Sequence, residues 1–213
     1  MPLANLYTIT TKRKNLHLRV QKGHFATSHS HINYFLDVAM QKSRLSEAKA
    51  IAEEILSYYQ TTTIIDTILC LDGMQVVGTC LAEELTNNNF MNLNAHQTIY
   101  VVTPEYTAGS QMIFRDNLVP AIMGKNVLIL AASVVTGYTA KSAIEAISYY
   151  GGNVVGISSI FATVDSFMGY DVVSAFDPAD LPGYSTHTPG ECPMCRAGQR
   201  IDGLVNSFGI SKI

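Results

Sequence analysis

Val135-Thr136-Gly137-Tyr138-Thr139 stands between an apolar run, Asn126 to Ala132 ("NVLILAA"), and a stretch with helical spacing. These residue types suit an anion. The first amides of a helix have no internal acceptors and point out of its end. The aligned peptide dipoles add positive potential there. Gly137 permits the left-handed backbone that turns successive amides toward one point. Thr136 and Thr139 add hydroxyl donors, and Lys141 brings a cation within reach of a monophosphate. The spacing is neither Gly-x-x-x-x-Gly-Lys nor Gly-x-Gly-x-x-Gly. The same residues equally describe an ordinary strand-to-helix turn with Thr139 as the cap.

Three other groups could do chemistry. Cys192-Pro-Met-Cys195 has metal-ligand spacing, but a structural zinc takes four ligands and one pair supplies two. His187 and Glu191 lie close in sequence, while His24, His29 and His31 lie at the other end of the chain. A reduced or occasionally oxidised pair in a tight turn is the simpler expectation, with zinc at Cys192 and Cys195 the alternative. In an extended segment His29 and His31 would point the same way. They suit a metal, a general base or a polar loop near a ligand. Asp72 precedes Gly73 directly after an apolar run, so it is expected in an Asp-Gly turn facing a cleft. Cys70 and Cys80 sit in apolar runs, as core residues do.

The elements that must position these groups follow from composition and period. A chain of 213 residues fits one domain. Apolar residues make up 47% and charged residues 15%, against about 25% charged in an average protein. That balance suits a covered parallel sheet or an oligomer interface. The net charge of −3 gives no global positive field for nucleic acid, and only Lys12, Arg13, Lys14, Arg19 and Lys22 form a basic cluster. No apolar run is long enough to cross a bilayer. The first residues lack the apolar core of a secretion signal, and four cysteines do not make a disulfide framework. A cytoplasmic protein is expected.

Ala48, Ile51, Ala52, Ile55, Leu56 and Tyr59 recur at helical spacing. Residues 62–71, 97–103, 126–132, 153–163 and 171–176 read as strands, and 104–111 as a loop. Residues 72–85 read as a turn and a short helix. Ala140, Ala143, Ile144 and Ile147 line one face of a further helix, which Gly151-Gly152 ends. This alternation implies a parallel α/β sheet with ligands at the C-terminal strand ends.

"VLILAASVVTGYT" (residues 127–139) resembles the phosphoribosyl-diphosphate (PRPP) signature of type I phosphoribosyltransferases, an apolar strand, two adjacent acids and a Thr/Gly-rich turn. "GHFATSHSHINYFLDV" (23–38) is similar to a shortened N-terminal segment of the orotate enzymes. "LDGMQVVGTCLAEEL" (71–85) is similar to their pyrophosphate loop and following helix, and "CPMCRAG" (192–198) to the tail of some members. The resemblance implies a type I phosphoribosyltransferase-like α/β fold, mainly a parallel sheet flanked by helices. It implies one domain, with a core of about residues 34–176 and a hood from 1–33 and 177–213, and often a homodimer. It also implies nucleotide formation from a base and PRPP with magnesium. Val135, Thr136, Gly137, Tyr138, Thr139 and Lys141 would then hold a ribose 5-phosphate. Leu71, Asp72, Gly73, Met74 and Gln75 would face the pyrophosphate.

Two departures stand out. The adjacent acids fall on Ala131 and Ala132, and a methyl group cannot balance the charge of a cation-like glycosyl transition state. The loop after residue 102 lacks the family's Arg-Lys, Lys and His-Gly. Between residues 60 and 140 only Arg115 and Lys125 are basic, against six acids. Two functions are therefore expected in competition. One is a transferase of weak or altered activity. The other is a non-catalytic binding or regulatory protein for a nucleotide or sugar phosphate.

Overall fold

The computed structural model describes residues 6–10, 16–87, 92–95 and 97–213. The basic residues Lys12, Arg13 and Lys14 lie outside the described residues. The chain divides into two units, residues 41–175 and a smaller unit made from residues 1–40 and 176–213.

The N-terminal part of the smaller unit forms β1 (Tyr7–Thr10), β2 (His17–Ala26) and β3 (His31–Asp37). Leu16, Leu18 and Val20 are buried at every second position, the period that buries one face of a strand. The β2–β3 turn is closed by Thr27, whose Oγ1 accepts the Ser30 amide and whose own amide donates to the Ser30 carbonyl.

The larger unit follows in chain order. It begins with α1 (Ala39–Ser43) at the boundary, α2 (Leu45–Tyr59), β4 (Thr67–Cys70), α3 (Gln75–Thr86) and β5 (Tyr100–Val102). A small hairpin of β6 (Glu105–Tyr106) and β7 (Met112–Ile113) comes next. Then come β8 (Asn126–Val134), α4 (Tyr138–Tyr149), β9 (Asn153–Ala162), β10 (Ser166–Phe167) and β11 (Tyr170–Phe176). The sheet order is β10-β11-β9-β8-β4-β5. Strands β5, β4, β8 and β9 are parallel, as expected of crossovers through helices. The helices α2 and α4 bury the faces their periodicity marks: Ala48, Ile51, Ala52, Ile55 and Tyr59 on one, Ala140, Ala143, Ile144 and Ile147 on the other. Cys70 and Cys80 are buried and free.

The C-terminal part adds β12 (Thr186–His187), α5 (Pro193–Arg196), β13 (Gly203–Asn206) and β14 (Gly209–Lys212) to the smaller unit. Its sheet runs β12-β3-β2-β13-β14, with β1 on β2. Phe25, Ile32 and Phe35 form its apolar centre, with Tyr184, Val205 and Ile210 packed against them. Among the described residues no helix is long and apolar enough to cross a membrane.

Several expected boundaries move. The strand expected over residues 62–71 begins only at Thr67, because the amides of Thr62 and Thr63 both return to the Tyr59 carbonyl. The segment behind them is held by a side chain. Asn94 Oδ1 accepts the Ile65 amide at 2.8 Å, and its Nδ2 donates to the Thr63 carbonyl at 2.9 Å. The strand expected over 97–103 shortens to β5, and the expected 104–111 loop contains β6. Asn94 is fully buried, and truncating it leaves two backbone groups without their partner. Asn94→Ala should therefore destabilise the protein by about 1–3 kcal/mol per orphaned group, read as a lower urea midpoint at unchanged slope. A loss under about 0.5 kcal/mol, the size of an ordinary surface change, would show that water replaces the side chain.

Candidate functional site

Parallel pairing sends two turns out of the same edge of the sheet. β4 and β8 are neighbours, and the Leu71 amide continues their ladder to the Leu130 carbonyl at 2.8 Å. β4 then leaves the sheet, while β8 continues beside β9 to Val134 before it turns; both exits lie at the C-terminal edge, where parallel α/β folds bind ligands. The turn after β4 is Leu71-Asp72-Gly73-Met74, closed by the Met74 amide on the Leu71 carbonyl. Asp72 and Gly73 have φ of 54° and 82°, the positive values that a type I′ turn needs at both central positions. Gln75 opens α3.

The turn after β8 is pinned from the other side. Thr163 Oγ1 donates to the Val135 carbonyl at 3.1 Å. Gly137 is the N-cap of α4, at φ 74°, with no side-chain cap. Thr139 lies inside the helix, so it is not the cap. Position 137 needs glycine twice over, because a Cβ would be strained there and would run into the Phe167 ring. Tyr138 is largely exposed. Lys141 reaches Glu145 along the helix at 3.8 Å, and both side chains are more than half exposed. Such a pair is easily traded for another anion.

Ala131 and Ala132 are both buried. Ala131 belongs to the apolar cluster with Val127, Ile129, Val134 and Ala140. The Ala132 amide donates to Asp72 Oδ2 at 3.3 Å. A carboxylate therefore does reach the second alanine, from the neighbouring turn. Burial pushes the Asp72 carboxyl above its usual range, while the Ala132 amide and Lys42 work against that rise. Lys42, in α1, donates its ammonium to the Asp72 carbonyl at 2.8 Å. It is a cation at this turn that the motif did not reveal, because it lies thirty residues upstream.

The β6–β7 hairpin occupies the chain position where the family's cations were expected. Arg115 binds Glu105 through Nε at 2.9 Å and Nη2 at 2.7 Å, which holds the Glu105 carboxyl below its usual range. Burial and the Asp72 charge push the Tyr106 hydroxyl up. Lys125 precedes β8 at the opposite end of the sheet and lies 6.0 Å from the Tyr100 ring centre.

In the smaller unit, His29 and His31 do not point the same way. His29 is exposed in the turn, and the strand begins only at His31, which is buried. Cys192 and Cys195 are free thiols, the first buried and the second exposed. They are not merely a pair in a tight turn. His24, His31, Cys192 and Cys195 bring four ligand atoms within 4.8 Å of one another. His187 pairs with His31 in the β12–β3 ladder and stays outside this group, as does Glu191, which accepts from the Thr188 hydroxyl.

No protein-family model matches the chain. Over 75 residues it is 32% identical to the orotate phosphoribosyltransferase of Thermoanaerobacter sp. (strain X514), a match covering 35% of this chain and 38% of that enzyme. It thus spans little more than a third of that relative. Among solved structures it resembles Leishmania donovani UMP synthase, at 20% identity and a TM-score of 0.55 over 76% of this chain and 34% of that one. It also resembles the Mycobacterium tuberculosis H37Rv orotate phosphoribosyltransferase in complex with PRPP. That likeness is at 16% identity and a TM-score of 0.50, over 68% and 82% of the two chains. The fold is that of the type I phosphoribosyltransferases, and the short sequence match is likewise to an orotate phosphoribosyltransferase.

Two variants test this geometry. Gly137→Ala should cost more than the roughly 1–3 kcal/mol of a strained backbone alone, and Phe167→Ala should restore part of the loss. Equal losses with and without Phe167 would remove the ring from the account. A carboxyl raised by burial holds its proton in the folded protein after the unfolded chain has lost it, so its contribution to stability falls as pH rises above about 4. Asp72→Asn should therefore gain stability relative to wild type between pH about 4 and 7 by denaturant titration. A pH-independent difference would mean that the carboxyl is not raised.

Proposed function

We propose that this protein binds a small phosphorylated ligand at the turns after β4 and β8, and that it descends from an orotate-type phosphoribosyltransferase whose chemistry here is weak or altered. The observation that carries the reading is the N-terminus of α4. Gly137 caps it in a left-handed conformation without a side-chain partner, so its amides remain directed outward for an anion. Val135, Thr136, Gly137, Tyr138 and Thr139 would surround a single phosphate, with Lys141 as its cation. Leu71, Asp72, Gly73, Met74 and Gln75 would face the pyrophosphate of PRPP, with Lys42 as the nearest cation behind them.

Charge supports the weakened chemistry. Neither basic residue of the 60–140 segment is directed at the turns: Arg115 is engaged by Glu105, and Lys125 stands at the far end of β8. The residues present do not build a dedicated magnesium site. Ala131 and Ala132 offer no side-chain oxygen, and one oxygen of Asp72 already accepts an amide. Magnesium binds through one or two carboxylates together with substrate phosphates, so here the diphosphate itself would have to bring it. Asp72 is the group through which transferase activity would survive, since its carboxylate stands against the Ala132 backbone. No general acid or base is assigned.

The second reading is a non-catalytic sensor of a nucleotide or sugar phosphate, favoured by the Arg115–Glu105 pair. In either reading the two ends of the chain would serve as the hood of a single-domain protein. The protein would act in the cytoplasm, in nucleotide metabolism, as a homodimer without membrane or nucleic-acid partners.

A spectrophotometric assay of orotate consumption with PRPP and magnesium separates the two readings. Slow, Asp72-dependent turnover is expected of the transferase, and none of the sensor. Ala132→Asp should raise PRPP affinity about tenfold, worth about 1.4 kcal/mol, by isothermal titration. Unchanged affinity in a folded variant would count against Ala132 occupying the acidic position. The double variant with Ala131→Asp is a poorer test, because position 131 lies in apolar packing and an acid there costs stability.

A further inference from the structure

We infer that His24, His31, Cys192 and Cys195 form a structural zinc site that staples the two ends of the chain together. This inference is independent of the phosphate reading. Ligand identity and spacing carry it. His24 Nε2 lies 3.1 Å from His31 Nδ1, 3.5 Å from Cys192 Sγ and 3.6 Å from Cys195 Sγ. Cys195 Sγ lies 3.2 Å from His31 Nδ1. Zinc–nitrogen bonds of about 2.0–2.1 Å and zinc–sulfur bonds of about 2.3 Å set the edges of a tetrahedron. These edges come to roughly 3.3 Å between two nitrogens and roughly 3.6 Å between nitrogen and sulfur. Four of the six separations already stand close to these edges, and all six lie within 4.8 Å, with a Cys₂His₂ donor set that suits zinc.

The surroundings fix the ligands as a metal site requires. His24 Nδ1 lies 3.0 Å from the Gln199 carbonyl. A carbonyl only accepts, so Nδ1 carries the proton and Nε2 is left with its lone pair toward the cluster. The backbone of His24 is clamped on both sides. Its amide donates to Asp202 Oδ2 at 2.7 Å, and its carbonyl accepts the Asp202 amide at 2.7 Å. Gly23 leaves room for that carboxylate, since a Cβ would lie 2.7 Å from it. His24, His31 and Cys192 are buried, and Cys195 is exposed. Without a cation, the His24 Nε2 lone pair can take a proton from only one of the three neighbouring atoms, so the remaining close contacts are left to weak thiol donors. With zinc, both thiols bind as thiolates and release their protons to solvent, so the two negative charges balance the ion. His24 belongs to β2, His31 opens β3, Cys192 caps α5 and Cys195 lies within it, so the ion closes a loop of 168 residues. Binding of this kind adds directly to folding stability.

Metal analysis of the protein purified under reducing conditions tests the inference. About one zinc per chain is expected, with release by a strong chelator lowering Tm by about 10 °C or more and added zinc restoring it. Replacement by Co(II) should give the intense visible bands of a tetrahedral ion and a thiolate-to-cobalt charge-transfer band. Cys195→Ser, at the exposed ligand, should weaken the charge-transfer band by about half, whereas Cys80→Ser should leave it unchanged. Because the cobalt spectrum is read on the unmodified chain, a misfolded variant does not blunt the test. A reduced, folded protein that takes up neither zinc nor cobalt at micromolar concentration would overturn the inference. So would a Cys192–Cys195 disulfide that persists in reductant, or a cobalt spectrum without a thiolate band.

Discussion

The candidate site depends on the parallel pairing of β4 with β8. That pairing carries the Leu71 amide to the Leu130 carbonyl and, one step further, the Asp72 carboxylate to the Ala132 amide. The two turns that would meet a phosphorylated ligand come from segments sixty residues apart. Only the shared sheet edge makes them neighbours. Their geometry is set by backbone conformation, with Asp72, Gly73 and Gly137 at positive φ. It therefore does not depend on the side chains along β8.

The departures along β8 concern charge. A site for PRPP must hold a diphosphate and stabilise a cation-like centre, and both tasks need formal charges close by. In the proposed alignment the acidic positions of the strand are alanines, one of them absorbed into the core, and Arg115 is spent on Glu105. What remains is amide donors, hydroxyls, Lys141 and the Lys42-supported turn. Amides and one cation are sufficient for a monophosphate and poorly matched to a diphosphate. The half-buried Asp72 carboxylate stands against Ala132 and is the group proposed to take over part of the acidic role.

Local pattern revealed much of the larger unit. The faces of α2 and α4 followed from residues three and four apart, and β8 from its unbroken apolar run. The strand ends were less legible, because they depend on distant partners. Asn94 takes the Ile65 amide and the Thr63 carbonyl just before β4, and nothing in residues 62–66 announces that. The smaller unit was hardest to read, since its sheet joins β2 to β13 across most of the chain. The Cys192–Cys195 pair alone supplied half a metal site. Its histidines were visible, but choosing His24 and His31 over His29 and His187 required knowing where the turn ends and β3 begins. Lys42 was not legible because it lies thirty residues from the turn it reaches.

The central claim is that the fold keeps a phosphate cradle without the charges for PRPP chemistry. Isothermal titration of the same protein with ribose 5-phosphate and with PRPP plus magnesium compares the two demands directly. The account predicts that ribose 5-phosphate binds and that the added diphosphate improves affinity by less than about tenfold, or about 1.4 kcal/mol. Micromolar binding of PRPP with magnesium, and none of ribose 5-phosphate, would contradict it.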